Sequence, residues 1–150
     1  MLTNEMQKLI NDYNIGLVST INDDATPAVS PKGTFVVVDD KQIAFGNIRS
    51  PQTLYNILVR PKVEVCFVDI LLRKVLRISG SAVMSVKSET EPIVVDIFSK
   101  IYSNYMNIIT EIVLINVSTA EMICSPAYDI GFSEKDLYRI NLEKLNSLKR

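Results

Sequence analysis

The stretch Ser30-Pro31-Lys32-Gly33-Thr34-Phe35-Val36-Val37-Val38 decides how the chain is read. Its second half is a run of β-branched and aromatic residues, the composition of a strand. Upstream, Asn22-Asp23-Asp24-Ala25-Thr26 is a polar turn, and Pro27 opens the strand that leads into the run. Between the two halves stand a proline, a cation and a glycine. Pro31 has no amide proton for a ladder and Gly33 has no side chain to pack. The Pro-Lys-Gly insertion should therefore bend this strand or break its pairing.

The same kind of reading extends in both directions. Thr3 can cap a first helix with Met6, Leu9, Ile10 and Tyr13 on one face, and residues 15–21 read as a strand. Asp39-Asp40-Lys41 is a second turn before a strand over residues 42–47. Ser50 suits an N-cap and Pro51 the first helical position, so a helix covers residues 51–59, ended by Pro61. Residues 63–68 alternate as a strand. Residues 74–86 form a long strand in which Gly80 marks a bulge or a crowded point. Residues 89–105 read as helical with Pro92 in the first turn, and residues 111–124 as a strand. Ser133 caps a last helix carrying Leu137, Ile140, Leu142, Leu145 and Leu148. Six or seven strands with short turns, and helices at both ends and in two crossovers, argue for a mainly β closed structure with flanking α-helices. No GxGxxG or GxxxxGK[ST] pattern occurs, so the usual dinucleotide and P-loop signatures are missing.

With 150 residues, the chain is expected to form one domain with a core of its own. A formal charge of -1 argues against a broad basic face, so no nucleic-acid partner is expected. No apolar run is long enough for a membrane span, and the opening MLTNEMQKLINDY has no signal-peptide core. A cytoplasmic protein without a membrane partner is the expectation. Cys66 and Cys124 are then expected to be buried thiols, unpaired in a reducing compartment. The chain has no histidine. Ser-His-Asp and Cys-His catalysis, HExxH sites and the usual histidine-rich metal sites are thereby excluded, and no metal site is expected. Any enzymatic chemistry would have to be carried by a cofactor.

Four segments hold the residues that can meet a ligand. In Arg49-Ser50-Pro51-Gln52-Thr53, a cation and two hydroxyls flank a helix start, whose unpaired amides and positive dipole end favour an anion. The plain alternative is an ordinary capped helix. Ser30-Pro31-Lys32-Gly33-Thr34 combines a point charge with a position open to close backbone approach; alternatively it is an edge bulge carrying a protective charge. Arg73, Lys74 and Arg77 surround a hairpin, as turn charges or as part of a site. In Cys124-Ser125-Pro126-Ala127-Tyr128-Asp129, Tyr128 can stack on a planar ring or pack on the core. Together they suit an anionic, planar, phosphorylated ligand.

The order of these pieces resembles the pyridoxamine 5′-phosphate oxidase-related flavoproteins, the FMN-binding split β-barrels. The carriers are Gly16-Leu17-Val18-Ser19-Thr20, the segment 27–35, Ala44-Phe45-Gly46-Asn47-Ile48-Arg49-Ser50-Pro51-Gln52-Thr53, and Asn56 with Arg60-Pro61-Lys62-Val63. The segment Ser125-Pro126-Ala127-Tyr128-Asp129 resembles the end of a branch of small members. The resemblance spans about residues 2–137. It implies a six-stranded Greek-key split barrel, one FMN-binding domain over residues 1–150 with N-terminal, crossover and C-terminal helices. It also implies a homodimer with FMN in a groove at the interface. By position, Gln52 and Thr53 fall where the family holds phosphate, and Gly46 and Asn47 along the ribityl chain and phosphate. Ser30, Pro31, Lys32 and Gly33 fall on the strand lining the ring and phosphate. Lys32, Arg49, Ser50 and Thr53 are thus expected on phosphate, Ser30 and Thr34 near the ring, and Tyr128 over it, from either subunit. Better-known members often place a further cation where this chain has Gln52-Thr53, so Arg49 and Lys32 would have to compensate. The Arg and His signature that holds substrate phosphate in true pyridoxamine phosphate oxidases is missing. The implied activity is an FMN-dependent oxidoreductase acting with a small-molecule substrate or electron acceptor, without an identifiable catalytic acid or base. The alternative is a flavin or deazaflavin carrier or sensor.

Overall fold

The structure is a computed structural model and describes residues 1–148. The elements run α1 (Asn4–Asp12), β1 (Gly16–Ile21), β2 (Pro27–Lys32), β3 (Phe35–Val37), β4 (Gln42–Asn47), α2 (Pro51–Val59), β5 (Lys62–Asp69), β6 (Lys74–Val86), α3 (Pro92–Ile101), β7 (Glu111–Cys124) and α4 (Glu134–Ser147). Single 3-10 turns lie at Lys87–Glu89, Ser103–Tyr105 and Pro126–Tyr128. Among the described residues, no helix is long and apolar enough to cross a membrane.

The strands form one antiparallel sheet in the order β2-β1-β5-β6-β7-β4-β3. β2 and β3 are consecutive in the chain, separated only by Gly33 and Thr34, yet they occupy opposite edges. The sheet must therefore curl until its two edges meet at that dipeptide. The Pro-Lys-Gly interruption does more than bend a strand. It hands the chain from β1, which pairs with β2, to β4, which pairs with β3. This accounts for seven strands where the family resemblance implied six.

The inner face of the curl is the core. Val63, Val65 and Phe67 alternate inward on β5, and Leu76, Ile78 and Ala82 on β6. Phe35 of β3 meets Phe67 of β5 edge-on, with ring centroids 4.8 Å apart, although the two strands are not neighbours in the sheet. That contact crosses the interior and holds the curl closed. Gly16 lies under the pair; a Cβ there would stand 2.4 Å from the Phe35 ring.

Helices close the remaining sides. Thr3 caps α1 by accepting from the Met6 amide. α3, shorter than the helical stretch predicted for residues 89–105, packs Val94, Phe98 and Tyr102 on Val36, Ala44, Ile109 and Ile112. The Tyr102 hydroxyl donates to the Phe35 carbonyl at 2.8 Å and accepts from Asn14 at 2.7 Å, tying this crossover to the edge strand. α2 is anchored at its far end. The fully buried Asn56 donates to Thr20 and Asn22, while Tyr55 and Arg60 both reach Asp23 in the β1–β2 turn. Ser133 and Asp136 form a reciprocal capping box on α4. Only Leu137 of its apolar stripe is buried; Ile140 and Leu145 are exposed.

Two further expectations meet the structure differently. Cys66 and Cys124 are free, but Cys66 is half-buried and Cys124 exposed. Both depart from the expected burial because Cys66 faces outward between Leu17 and Arg77, and Cys124 ends β7 opposite Lys74. At Gly80 the crowding is real. The β6–β7 register shifts there, Ser79 pairing with Thr119 and Gly80 with Val117, so Ser118 is the extra residue. A Cβ on Gly80 would lie 2.4 Å from the Asn116 carbonyl oxygen, a backbone atom that cannot step aside. Gly80→Ala should therefore destabilise the fold by about 1–3 kcal/mol, the usual cost of overpacking. Urea denaturation of the variant beside the parent measures it, and equal midpoints would show that β7 yields at this point.

Candidate functional site

The hand-over from β2 to β3 places several polar residues where the sheet edges meet. The Thr34 hydroxyl donates to the Gly46 carbonyl at 2.7 Å and accepts from the Gly46 amide at 3.1 Å. It extends the β3–β4 pairing by one step with a side chain. Gly33 itself is exposed, has no left-handed backbone angle, and has nothing within 4 Å of where a Cβ would stand. Nothing in the fold requires a glycine there.

Lys32 is only 5% exposed. It lies on the same face of β2 as Ser30, to whose hydroxyl its ammonium donates. Among the described residues it has no carboxylate partner, and burial pushes the ammonium below its ordinary pKa. Asn47 is also 5% exposed. Its amide nitrogen donates to Glu111 at 2.8 Å, while its side-chain oxygen is sealed from solvent and has no partner among the described residues. A buried, unsatisfied acceptor of this kind costs about 1–3 kcal/mol.

β4 ends at Asn47, and Ile48-Arg49 lead into α2. Arg49 is exposed and makes no ion pair among the described residues. Ser50 occupies the N-cap position and Pro51 the first turn, as the sequence predicts. The Ser50 hydroxyl nevertheless makes no capping hydrogen bond, so the first amides of α2 have no side-chain acceptor. Thr53 is buried in the first turn. Gln52 is exposed and bends back along the helix to donate to Asn56 at 2.9 Å, joining the anchor at the other end of α2. Pro31 faces outward on β2 opposite Leu17.

Tyr128 lies elsewhere in this chain. Its hydroxyl donates to the Leu72 carbonyl at 2.6 Å, beside the end of the β6–β7 ladder where Lys74 pairs with Cys124. Asn47 belongs to the other end, through Glu111 and its partner Val86. Some 40 Å of strand contour separates the two at ~3.3 Å per residue. The hairpin cations are occupied as well. Lys74 bridges Glu134 and Glu5, and its hydrogen bond to Glu134 holds its ammonium well above the usual range. Arg77 pairs with Glu121. A concavity of about 340 Å³ lies there between α1, the β5–β6 hairpin and α4, and of the candidate residues only Lys74, already paired, lines it.

Sequence reasoning did not find Glu111. It lies 64 positions from Asn47, and only the β4–β7 register brings the two together. Thr110 adds its hydroxyl to the same carboxylate oxygen.

The family model described as pyridoxamine 5′-phosphate oxidase matches residues 2–144. The chain belongs to this family. No curated protein matches it in sequence. Among solved structures, HupZ of group A Streptococcus is 27% identical, with a TM-score of 0.71 over 83% of this chain and 96% of that one. An FMN-binding protein from Syntrophomonas wolfei is 14% identical, with a TM-score of 0.66 over 79% and 84%. A protein from Clostridium acetobutylicum related to general stress protein 26, of the pyridoxinephosphate oxidase family, is 14% identical, with a TM-score of 0.61 over 80% and 86%. The curled antiparallel sheet with flanking helices is the fold of these proteins.

Lys32 gives a pH-dependent test. Its ammonium has a lower pKa in the fold than the ordinary 10.5 of an unfolded chain. Below the folded value both states are charged, and the burial cost is felt in full. Between the two values the unfolded chain binds more protons, so stability gains as pH rises. Lys32→Met should be more stable than the parent at neutral pH, and its advantage should shrink as pH climbs toward 10.5. Denaturation midpoints of both proteins across that interval give the comparison; a constant difference would mean that the ammonium is not penalised by burial.

Proposed function

We propose that the protein is a cytoplasmic FMN-dependent oxidoreductase acting on a small molecule and working as a homodimer. One observation carries this reading: Lys32, a buried ammonium without a carboxylate among the described residues, ends β2 where the chain passes into β3, and the strand beside β3, β4, ends at Asn47 with its side-chain oxygen unsatisfied. Nearby, α2 begins without a side-chain cap and Arg49 has no ion pair among the described residues. Groups left unsatisfied by the fold are what a bound, multiply charged ligand completes.

In this reading Lys32, Arg49, Ser50, Thr53 and the first amides of α2 hold the phosphate, and Asn47 faces the ribityl chain or phosphate. Gly33 lets the ring edge approach the backbone, beside Ser30 and Pro31. Thr34 acts through Gly46, fixing the strand end along which the ligand lies, and Gln52 steadies α2 from the flank. Bound FMN would supply the capacity to accept and pass on a hydride or electrons. The chain's own part is to bind it, orient it and exclude water. With no histidine in the sequence, no side chain is assigned as acid or base.

Two features favour a second copy of the chain. Leu17, Ile21, Val29 and Val68 are exposed on the outer face of β2, β1 and β5, with Pro31 and Cys66 beside Leu17. An apolar face of this kind is the surface that an interface covers. Tyr128 lies at the opposite end of the β6–β7 ladder from Asn47, which favours its delivery from a partner copy.

The test is titration of the purified protein with FMN, followed by absorbance and by light scattering for the dimer. Reduction of the bound flavin by a reduced nicotinamide and reoxidation by an added acceptor would mark an enzyme; binding without turnover would mark a flavin carrier. Arg49→Ala should weaken FMN by about 1–3 kcal/mol, as for a lost charge-assisted hydrogen bond. Gly33→Val should keep the parent's thermal midpoint, since that position is open, and lose stoichiometric FMN. A Gly33→Val protein that binds FMN normally would move the ring away from β2.

A further inference from the structure

The concavity of about 340 Å³ between α1, the β5–β6 hairpin and α4 shares no residue with the flavin reading. Its volume is that of a small-molecule pocket. Leu9, Leu72 and Met122 give it an apolar floor, and the rings of Tyr13, which ends α1, and Tyr138 of α4 line it as well. Its charged lining is unbalanced: Glu5, Asp12, Asp69 and Glu134 stand against Lys8 and Lys74. Lys74 bridges Glu5 and Glu134, and Lys8 pairs with Asp12, so neither ammonium of the lining is left for an anionic ligand. Asp69 differs from the other three carboxylates, because it enters no ion pair among the described residues. One of its oxygens accepts the Leu71 and Leu72 amides, each at 2.9 Å, and the Tyr13 hydroxyl lies beside the carboxylate. Burial and that carboxylate push the Tyr13 phenol up to about 12, so its ring stays neutral at physiological pH.

The lining favours a cation, and it also decides which kind. Among the described residues, no group of three or more carboxylates or thiols could hold a metal ion. A bare ion would also leave the apolar floor uncovered. We propose that the concavity is a second binding site, for a small organic amine whose ammonium meets Asp69 and whose apolar body covers Leu9, Leu72 and Met122. The faces of Tyr13 and Tyr138 suit such a cation, since the π-cloud of a phenol ring attracts an ammonium. The surplus of carboxylates draws the amine in from solution. This also gives a role to α4, which buries only Leu137 yet is pinned above the hairpin by Asn141, donating to the Leu71 carbonyl at 2.8 Å. So placed, α4 brings Tyr138 and Glu134 to the concavity.

The test is an NMR titration of the purified full chain with three probes: phenethylamine, 3-phenylpropionate, which carries a carboxylate on a similar body, and methylammonium, which has the charge without the body. Phenethylamine should shift amides of α1, the β5–β6 hairpin and α4, and should bind at least about tenfold tighter than either other probe, the worth of one charge-assisted contact. Asp69→Asn keeps an oxygen for the Leu71 and Leu72 amides but removes the charge, and should weaken phenethylamine about tenfold. Tyr138→Ala, at an exposed position on α4, should weaken it about threefold, as for one exposed cation–π contact, and stands in if Asp69→Asn does not fold. Equal binding of 3-phenylpropionate would mean that apolar contact alone selects, and equal binding of methylammonium that the lining is a generic acidic surface; both overturn the proposal. So do shifts located elsewhere, no shift with phenethylamine, or an affinity that the substitution leaves unchanged. FMN titration of the same samples reports on the flavin reading separately, since the two sites have no residue in common.

Discussion

Two residues, Gly33 and Thr34, connect strands on opposite edges of a seven-stranded sheet. That covalent constraint dominates the molecule. A dipeptide spans at most about 7 Å, so the first and last strands cannot lie on the flanks of an open sheet. The sheet curls, and the curl makes an inside. Phe35 can then meet Phe67 across that inside, and a core of Val, Ile, Leu and Phe side chains fills what the curl encloses. The junction that forces the closure also carries Lys32 and Gly33 to the end of β4. Fold and candidate site thus have one cause.

The polar groups of this protein divide sharply by whether the fold has already used them. At the hairpin end, Lys74 has two carboxylates, Arg77 has one, and Tyr128 has a backbone carbonyl. Asn56 is buried deeper than Asn47, yet it has three hydrogen bonds and serves as an anchor. At the β2–β3 junction the balance is reversed. Among the described residues, Lys32 has only a neutral hydroxyl, and the Asn47 oxygen has nothing. Both arrangements cost stability, and nothing in the core recovers that cost. Such defects persist where a ligand completes them, which is why the polar cluster with the poorest internal pairing, and not the concavity beside α1, attracts the functional reading.

How much of this the sequence made legible follows from whether the deciding neighbour was local. β5 was readable because Val63, Val65 and Phe67 alternate with Glu64, Cys66 and Val68, and burial follows that alternation. α2 was readable from Ser50-Pro51 and Pro61, both local stereochemical signals. The exchange of partners at Gly33 was only half readable. Local residues announced an interruption, but which strand each half joins depends on β1 and β4. The Ser50 cap shows the same limit at smaller scale: the residue type suits capping, yet its backbone, at φ -152 and ψ 59, is not the extended one in which a serine reaches its own helix. Glu111 was beyond sequence reasoning, since a carboxylate at a strand start looks like any solvated charge until the register sets it beside Asn47. The thiols were misjudged because cysteine burial is a tendency of composition, while Cys66 and Cys124 were placed by strand parity and strand end.

The separation of Tyr128 from Asn47 bears on assembly. A curled sheet with a long β6–β7 ladder has two unlike ends, Asn47 and Glu111 at one and a half-buried tyrosine at the other. Within one chain these ends are separated by the length of that ladder. Two chains packed through the outer face of β1, β2 and β5 about a two-fold axis perpendicular to the strands would run antiparallel and set the two ends against each other. Pairing through Leu17 and Val29 would then build two equivalent clefts at once, each with a junction from one copy and a hairpin end from the other. In the dimer proposed above, Lys32 and Asn47 would face a cleft that neither copy builds alone.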